Sequence, residues 1–239
     1  MTSLTVEIWS DIACPWCYIG KRRFARALAD FPHRDHVEVI WRAFELSPGE
    51  DPAPGTSETV ALAERKGLAI EQVKQMFAQV TAVAAGEGLA YDFDATIHVA
   101  TGRLHRLVHV ATGLGLADEV LEALYSAHFE HGVDLAVEDE VVRVVGRAGL
   151  ADRGLDDAAV RAALASEEAA AAVARDQADA RAIGVTGVPF FVVDRRIAVS
   201  GAQPTEVFGE LLAQGWQQAN PLTVVAAGGE ACGDDGCAL

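Results

Sequence analysis

The sequence predicts an α/β fold in which one small sheet is interrupted by a large all-helical insertion. Strand-like runs occur only towards the two ends of the chain, at residues 4–8, 37–42 and 189–199. Between the second and third runs, apolar residues recur at the three- and four-residue spacing of amphipathic helices. Neither end alone can cover both faces of a sheet, so we expect the two ends to pack together.

The N-terminal end is predicted to form a β-α-β unit. Residues 4–8 alternate between apolar and polar side chains, which is the period of a half-buried strand. The helix that follows has apolar residues at helical spacing, namely Phe24, Ala27, Leu28 and Phe31. It ends near Pro32, and a second strand is predicted at 37–42, before a turn-rich stretch at 47–55.

The insertion is predicted to be helical, with glycines between its helices. The predicted helices cover residues 57–66, 71–86, 97–112, 117–130, 138–148, 157–165 and 168–183. Strand-like sequence returns at 189–194 and 197–199, followed by a last helix with apolar positions at Val207, Phe208, Leu211 and Leu212. We predict three parts, namely a sheet domain at 1–55 and 184–216, a helical insertion domain at 56–183 and a flexible C-terminal tail at 217–239.

The composition indicates a folded globular protein. Of 239 residues, 51% are hydrophobic, which is enough for a buried core. The net charge of -16 argues against nucleic acid or an anionic membrane surface as a partner, because both attract basic patches. The chain shows neither a run of about 18 apolar residues nor a signal-like N-terminus, and we expect a cytoplasmic protein.

Four cysteines form two close pairs, Cys14/Cys17 and Cys232/Cys237. The first pair lies where a predicted strand gives way to a helix, and Pro15 suits the first helical turn because no N–H is needed there. The free N–H groups and the positive end of the helix dipole stabilise a thiolate at this place. Cys14-Pro15-Trp16-Cys17 therefore predicts a redox-active dithiol.

Two structural interpretations of these cysteines compete with redox chemistry. A static disulfide between Cys14 and Cys17 would close too small a loop to stabilise the fold much. A zinc site would need all four thiols, and the Cys232/Cys237 spacing is wider than in usual zinc knuckles. We favour redox chemistry over both and predict no metal.

Two end motifs carry a family resemblance. They are Ser10-Asp11 with Cys14 through Gly20 at one end, and Gly184 through Phe191 with Val199 through Gln203 at the other. Together they resemble the thioredoxin-like fold with a large helical insertion that is found in the DsbA family. They are most similar to its FrnE-like branch, whose relatives include kappa-class glutathione transferases and hydroxychromene carboxylate isomerases. His105-Arg106-Leu107 matches a helical triplet of the same family.

The resemblance implies a protein thiol-disulfide oxidoreductase or disulfide isomerase. Cys14 would attack a substrate disulfide and Cys17 would resolve the mixed disulfide. Val188-Pro189 matches the segment whose cis-proline faces the dithiol and presents backbone to the substrate, with Trp16 beside it. The implied partners are disulfide-containing or unfolded polypeptides and cellular thiol reductants, with glutathione as a redox partner and no bound cofactor.

Two other functions stay open at this point. One is a glutathione-dependent transferase or small-molecule isomerase of the hydroxychromene carboxylate type. Relatives of that kind have serine where this chain has Cys14, which favours disulfide chemistry. The other is a zinc- or redox-responsive binding protein. The direction of exchange, whether oxidase, reductase or isomerase, also stays open.

Several residues near the dithiol allow two interpretations. Trp16 and Tyr18 can line the site or belong to the core. Asp11 can cap the helix or assist proton transfer, and capping is favoured because a charge close to Cys14 would oppose its thiolate. Three histidines, His98, His105 and His109, would share one helix face, where ordinary packing is favoured over metal binding.

The tail pair, Cys232 and Cys237, is predicted to be an accessory redox pair. Asp234 and Asp235 lie between them and disfavour thiolates, so these thiols should attack substrates poorly. A local disulfide across the glycine-containing turn would let them exchange electrons with Cys14 and Cys17. The alternative is incidental thiols or a metal-scavenging tail.

Overall fold

A four-stranded mixed sheet lies at the centre of the computed structural model, which describes residues 3–50 and 52–221. Its strands are β1 (Leu4–Ser10), β2 (Val37–Ala43), β3 (Phe190–Val193) and β4 (Ile197–Ser200). Their order is β2-β1-β3-β4, with β1 parallel to β2 and antiparallel to β3. β3 and β4 form an antiparallel hairpin. The two ends of the chain thus share one sheet.

Helix α1 (Pro15–Asp30) connects β1 to β2, and α9 (Thr205–Ala219) follows β4. The helices between β2 and β3 form what we call the helical lobe. They are α2 (Glu58–Lys66), α3 (Ile70–Gly86), α4 (Gly102–Gly113), α5 (Ala117–Phe129), α6 (Glu138–Arg147), α7 (Asp157–Ala165) and α8 (Glu167–Ala182). The predicted α/β fold with a large helical insertion is confirmed. The division of the chain into two domains and a tail stays a prediction.

One predicted helix, at 97–112, begins later than expected. The helix starts at Gly102, and the preceding residues pair with the segment before α2. Ile97 forms a β-bridge with Ser57, and the His98 N–H donates to the Thr56 carbonyl over 2.8 Å. Apolar periodicity cannot reveal this pairing, because it depends on a segment 40 residues earlier in the chain. His98 therefore does not share a helix face with His105 and His109.

One face of the sheet packs against α1 and α9. Leu4, Val6 and Ile8 of β1 are fully buried on this face. Three phenylalanine rings join the layers, from α1 (Phe24), β3 (Phe191) and α9 (Phe208), with centroids 4.5 to 5.8 Å apart. These contacts fix the height and direction of α1 above β1, and therefore the position of its N-terminus.

The other face of β1 is buried as well, so the prediction of a half-buried strand is wrong. Glu7 is only 4% exposed, and its carboxylate binds the guanidinium groups of Arg42 and Arg195. Trp9 is fully buried and donates its indole N–H to the Asp176 carbonyl of α8 over 3.0 Å. The polar residue that suggested an exposed face is instead neutralised in the interior, where an unpaired charge would be costly.

Candidate active site

The two thiols of the Cys14-Pro15-Trp16-Cys17 turn lie where β1 passes into α1. Cys14 is the N-cap of α1 with extended backbone, and Pro15 is its first helical residue. Cys17 follows one turn later, and its N–H donates to the Cys14 carbonyl over 3.0 Å. Both are free thiols, with Cys14 4% and Cys17 1% exposed. Cys14 is therefore only slightly more exposed than Cys17.

The Val188-Pro189 segment faces this turn, and its peptide bond is cis. The Sγ atom of Cys14 donates to the Val188 carbonyl over 3.6 Å, although the two residues are 174 positions apart. The Gly201 N–H donates to the Pro189 carbonyl over 2.8 Å and helps to hold the segment in place. The structure thus brings together the dithiol and the proline segment that the sequence singles out.

The two aromatic residues of the turn have different environments. Trp16 is 39% exposed at the N-terminus of α1, beside the thiols. Tyr18 is fully buried, and its hydroxyl donates to Glu122 of α5 over 2.7 Å. Trp16 therefore offers apolar surface to solvent at the site, whereas Tyr18 belongs to the junction between α1 and the helical lobe.

Gly20 allows the proline segment to approach α1 closely. A Cβ atom at position 20 would lie 2.9 Å from Cγ of Pro189, closer than real Cβ contacts come. The next nearest atoms, Cα and Cβ of Ala202, would both lie at an ordinary contact distance of 3.6 Å from that Cβ. Glycine inside a helix normally costs about 1 kcal/mol relative to alanine. Its presence here has a packing reason, namely the contact with Pro189.

Gly20→Ala is expected to slow the predicted disulfide exchange about tenfold. The added methyl group displaces Val188 and Pro189 from Cys14, and small displacements of reacting groups lower reaction rates strongly. Stopped-flow measurement of the first attack on a model disulfide checks this. The matched control is Gly209→Ala in α9, where a Cβ would meet nothing within 4 Å. That control should keep the parent rate, and equal rates for the two variants would contradict the role of Gly20.

Asp11 does not cap α1, so the favoured interpretation is wrong. The cap position belongs to Cys14, and no side chain bonds there. The Asp11 carboxylate is buried, accepts from the N–H of Leu46 over 2.8 Å, and lies 3.3 Å from Nε2 of His105. Burial alone would raise the pKa of this carboxyl, but hydrogen bonds and charge from His105, with the Leu46 N–H, hold the pKa below its ordinary value.

Cys17 lies against the same residue. The Asp11 N–H donates to Sγ of Cys17 over 3.5 Å. Burial raises the pKa of the Cys17 thiol well above its ordinary value, and the hydrogen bond and charge of Cys14 raise it further. Asp11 acts in both directions, because its N–H lowers the pKa of Cys17 and its carboxylate charge raises it. Cys17 therefore stays a thiol at neutral pH.

Two tyrosines of the helical lobe complete the site. The Tyr91 hydroxyl donates to the Pro15 carbonyl over 2.7 Å, and the Tyr125 hydroxyl donates to the Asp11 carbonyl over 3.3 Å. Both rings stack with Tyr18, at centroid distances of 6.1 and 5.0 Å. Sequence reasoning missed both residues, since no motif or spacing marks an isolated tyrosine in a lobe helix or loop.

Other predicted features take different places. His98 bonds to Glu58 and Glu50, and His109 is exposed on α4. Within residues 3–50 and 52–221, no group of three or more metal-ligating side chains comes together, and no helix is long and apolar enough to cross a membrane. The predicted accessory pair, Cys232 and Cys237, lies outside the described residues.

Comparison with known proteins identifies similar chains. The family model for the DSBA-like thioredoxin domain matches residues 5–213. A probable DsbA oxidoreductase from Streptomyces coelicolor is 44% identical, with 99% of each chain covered and a TM-score of 0.83. The cytosolic disulfide reductase DsbM from Pseudomonas aeruginosa, solved with GSH, shares the fold at 19% identity and a TM-score of 0.64, covering 88% of this chain and 98% of that one.

A curated relative matches over a shorter segment. The uncharacterized protein YwbO of Bacillus subtilis (strain 168) is 38% identical over 47 residues, which is 20% of this chain and 22% of that protein. The matched segment thus spans about a fifth of each of the two proteins.

Proposed function

Because the chain belongs to the DSBA-like thioredoxin domain family, we propose that it exchanges disulfides with polypeptide substrates through Cys14 and Cys17. The observation that carries this proposal is the position of the Cys14 thiol. It lies at the N-terminus of α1 and 3.6 Å from the Val188 carbonyl, just before the cis Pro189. The Cys14 sulfur and the partly buried Val188 next to the cis-proline, where a substrate strand would bind, are thus side by side.

The exchange proceeds in two displacements. The Cys14 thiolate attacks one sulfur of a substrate disulfide, forms a mixed disulfide and releases the other substrate sulfur as a thiolate. Cys17 then attacks the Cys14 sulfur, which closes the Cys14–Cys17 disulfide and releases the second substrate thiol. Each cycle reduces one substrate disulfide and oxidises the dithiol by two electrons. If another substrate thiol attacks the mixed disulfide first, the outcome is isomerisation.

A cellular thiol such as glutathione regenerates the dithiol by the reverse displacements. We infer a cytoplasmic setting, where thiol pools favour reductase or isomerase activity over net oxidation. The exposed Trp16 beside the thiols gives an unfolded substrate an apolar surface to contact, with the Val188-Pro189 backbone opposite.

Insulin reduction and the reactivation of scrambled ribonuclease test this function. Cys14→Ser is expected to abolish both activities, because serine cannot form a disulfide. If Cys14→Ser left both activities at the parent level, the proposed function would be wrong. A Cys232→Ser/Cys237→Ser double variant is an added arm, since we propose that the tail pair relays electrons to Cys14 and Cys17. The double variant should show slower multiple-turnover rates, with less effect on the rate of the first attack by Cys14. Equal multiple-turnover rates in the parent protein and the double variant would contradict the proposed relay.

A further inference from the structure

An imidazole of the helical lobe contacts the carboxylate of Asp11, the residue that lies against the resolving thiol. His105 of α4 is 2% exposed, and its Nε2 lies 3.3 Å from Oδ1 of Asp11, 94 positions earlier in the chain. Asp11 in turn contacts Sγ of Cys17 through its N–H. Among the described residues His105 forms no hydrogen bond to either sulfur, and Asp11 links it to Cys17.

The hydrogen bond also identifies the protonated ring nitrogen of His105. An ionised carboxylate can only accept hydrogen bonds, so Nε2 must carry the hydrogen that lies between it and Asp11. Other donors to this carboxylate are the N–H groups of Leu46 and Ala13, at 2.8 and 3.4 Å, and the Thr101 side chain, which also lowers the pKa of Asp11. A carboxyl group as buried as Asp11 becomes neutral when such donors are lost, because burial disfavours the charged form.

The remaining titratable neighbours cannot replace this charge. Burial raises the pKa of Tyr91 and Tyr125, which stay neutral hydroxyls at neutral pH. Burial lowers the pKa of His128 to about 4, so it is a neutral imidazole there. Cys14 carries no charge once it is joined to substrate in a mixed disulfide. The Asp11 carboxylate then remains as the negative charge beside Cys17.

We propose that His105 is a positioning residue for the resolving step, which holds the Asp11 carboxylate ionised beside Cys17, where its negative charge opposes the Cys17 thiolate. The proposal rests on the proposed exchange function and concerns its second displacement. In that step the Cys17 sulfur bonds to the Cys14 sulfur, the Cys14–substrate bond breaks, and the proton of Cys17 ends on the released substrate thiol.

5,5′-Dithiobis(2-nitrobenzoate) separates the two displacements when it reacts with the reduced Cys232→Ser/Cys237→Ser variant, whose two thiols are Cys14 and Cys17. The variants below are made in the same background. Attack by Cys14 releases one equivalent of the coloured thiolate, and attack by Cys17 releases a second. The rate of the second phase, followed against pH, gives the midpoint at which Cys17 loses its proton. A first phase that persists in Cys14→Ser would count against the proposed function, independently of the second phase.

His105→Leu is expected to lower the midpoint of the second phase by about one pH unit, because a neutral Asp11 no longer opposes the Cys17 thiolate. Below the midpoint the second phase should run about threefold faster, since tenfold more thiolate is partly offset by its lower nucleophilicity. His105→Gln, which keeps an N–H donor in reach of Asp11, should restore the parent midpoint. A purely structural role for His105 would slow the reaction without moving the midpoint.

His128→Leu is the matched control, since it removes another buried lobe histidine without touching Asp11 and should keep the parent midpoint. Asp11→Asn should lower the midpoint as His105→Leu does, and combining the two should add nothing. An unshifted midpoint in His105→Leu, with the first phase intact, would overturn the proposal. If His105→Leu does not fold, an unshifted midpoint in Asp11→Asn overturns it instead.

Discussion

Cys17→Ser is expected to accumulate as a mixed disulfide with substrate through Cys14, when it and its controls are made in a Cys232→Ser/Cys237→Ser background that removes the tail thiols. The first displacement needs only the Cys14 thiolate at the N-terminus of α1, whose surroundings this substitution leaves in place. The second displacement loses its intramolecular thiol, whose effective concentration is far above the ~1 mM of an added thiol, so turnover should fall about a thousandfold or more. Non-reducing electrophoresis and mass spectrometry measure the trapped species.

The controls for this trap are simple. The mixed disulfide should disappear on treatment with dithiothreitol, and the Cys14→Ser/Cys17→Ser double variant should form none. Cys14→Ser alone should form little, because Cys17 is 1% exposed and burial raises the pKa of its thiol. Parent-like insulin reduction by Cys17→Ser would exclude Cys17 as the resolving thiol.

His128→Leu is expected to stabilise the protein. His128 lies in α5 with no exposed surface, and neither ring nitrogen has a hydrogen-bond partner among the residues that the structure describes. Leaving a buried polar group without a partner costs about 1–3 kcal/mol, and leucine fills a similar volume without polar atoms. The free energy of unfolding near neutral pH should therefore rise by about that amount, as measured by urea titration.

The gain should be larger in acid. Burial lowers the pKa of His128 from its ordinary 6.5 to about 4 in the folded protein. Below pH 6.5 the imidazole of His128 binds a proton in the unfolded chain but not in the folded protein, so the free energy of unfolding decreases as pH falls from 6.5 towards 4. Over that pH range the free energy of unfolding of the parent protein falls by about 3 kcal/mol through this group. His128→Leu has no imidazole at this position and should not show this decrease.

His109→Gln is the matched control, because His109 is an exposed histidine of the same lobe. It should keep the parent difference in unfolding free energy between neutral pH and about pH 5. Carboxylates whose pKa lies below its ordinary value, such as Asp11 and Glu122, also make the folded protein less stable in acid. This contribution should be equal in the parent protein, His128→Leu and His109→Gln. If His128→Leu showed the parent pH dependence, the burial of an uncharged imidazole would not be its cause.

Much of the fold could be predicted from the sequence, because apolar residues recur at different spacings in strands and in helices. The two sheet halves, α1 and most lobe helices follow from alternation, three- to four-residue spacing and glycine breaks. The family match confirms the resemblance to the DsbA family, whereas the FrnE-like branch stays a prediction. The late start of α4 and the burial of Glu7 could not be predicted, because both depend on partners distant in the chain.

The candidate site divides in the same way. By itself the sequence determined the dithiol at a strand-to-helix junction and the proline segment expected to face it, because each is a short local motif. Only the tertiary structure decided that Asp11 is a buried carboxylate held by His105, that Tyr91 and Tyr125 bond to the backbone of this turn, and that Trp16 rather than Tyr18 is exposed. These contacts depend on helix packing across the chain, and local spacing contains no signal for them.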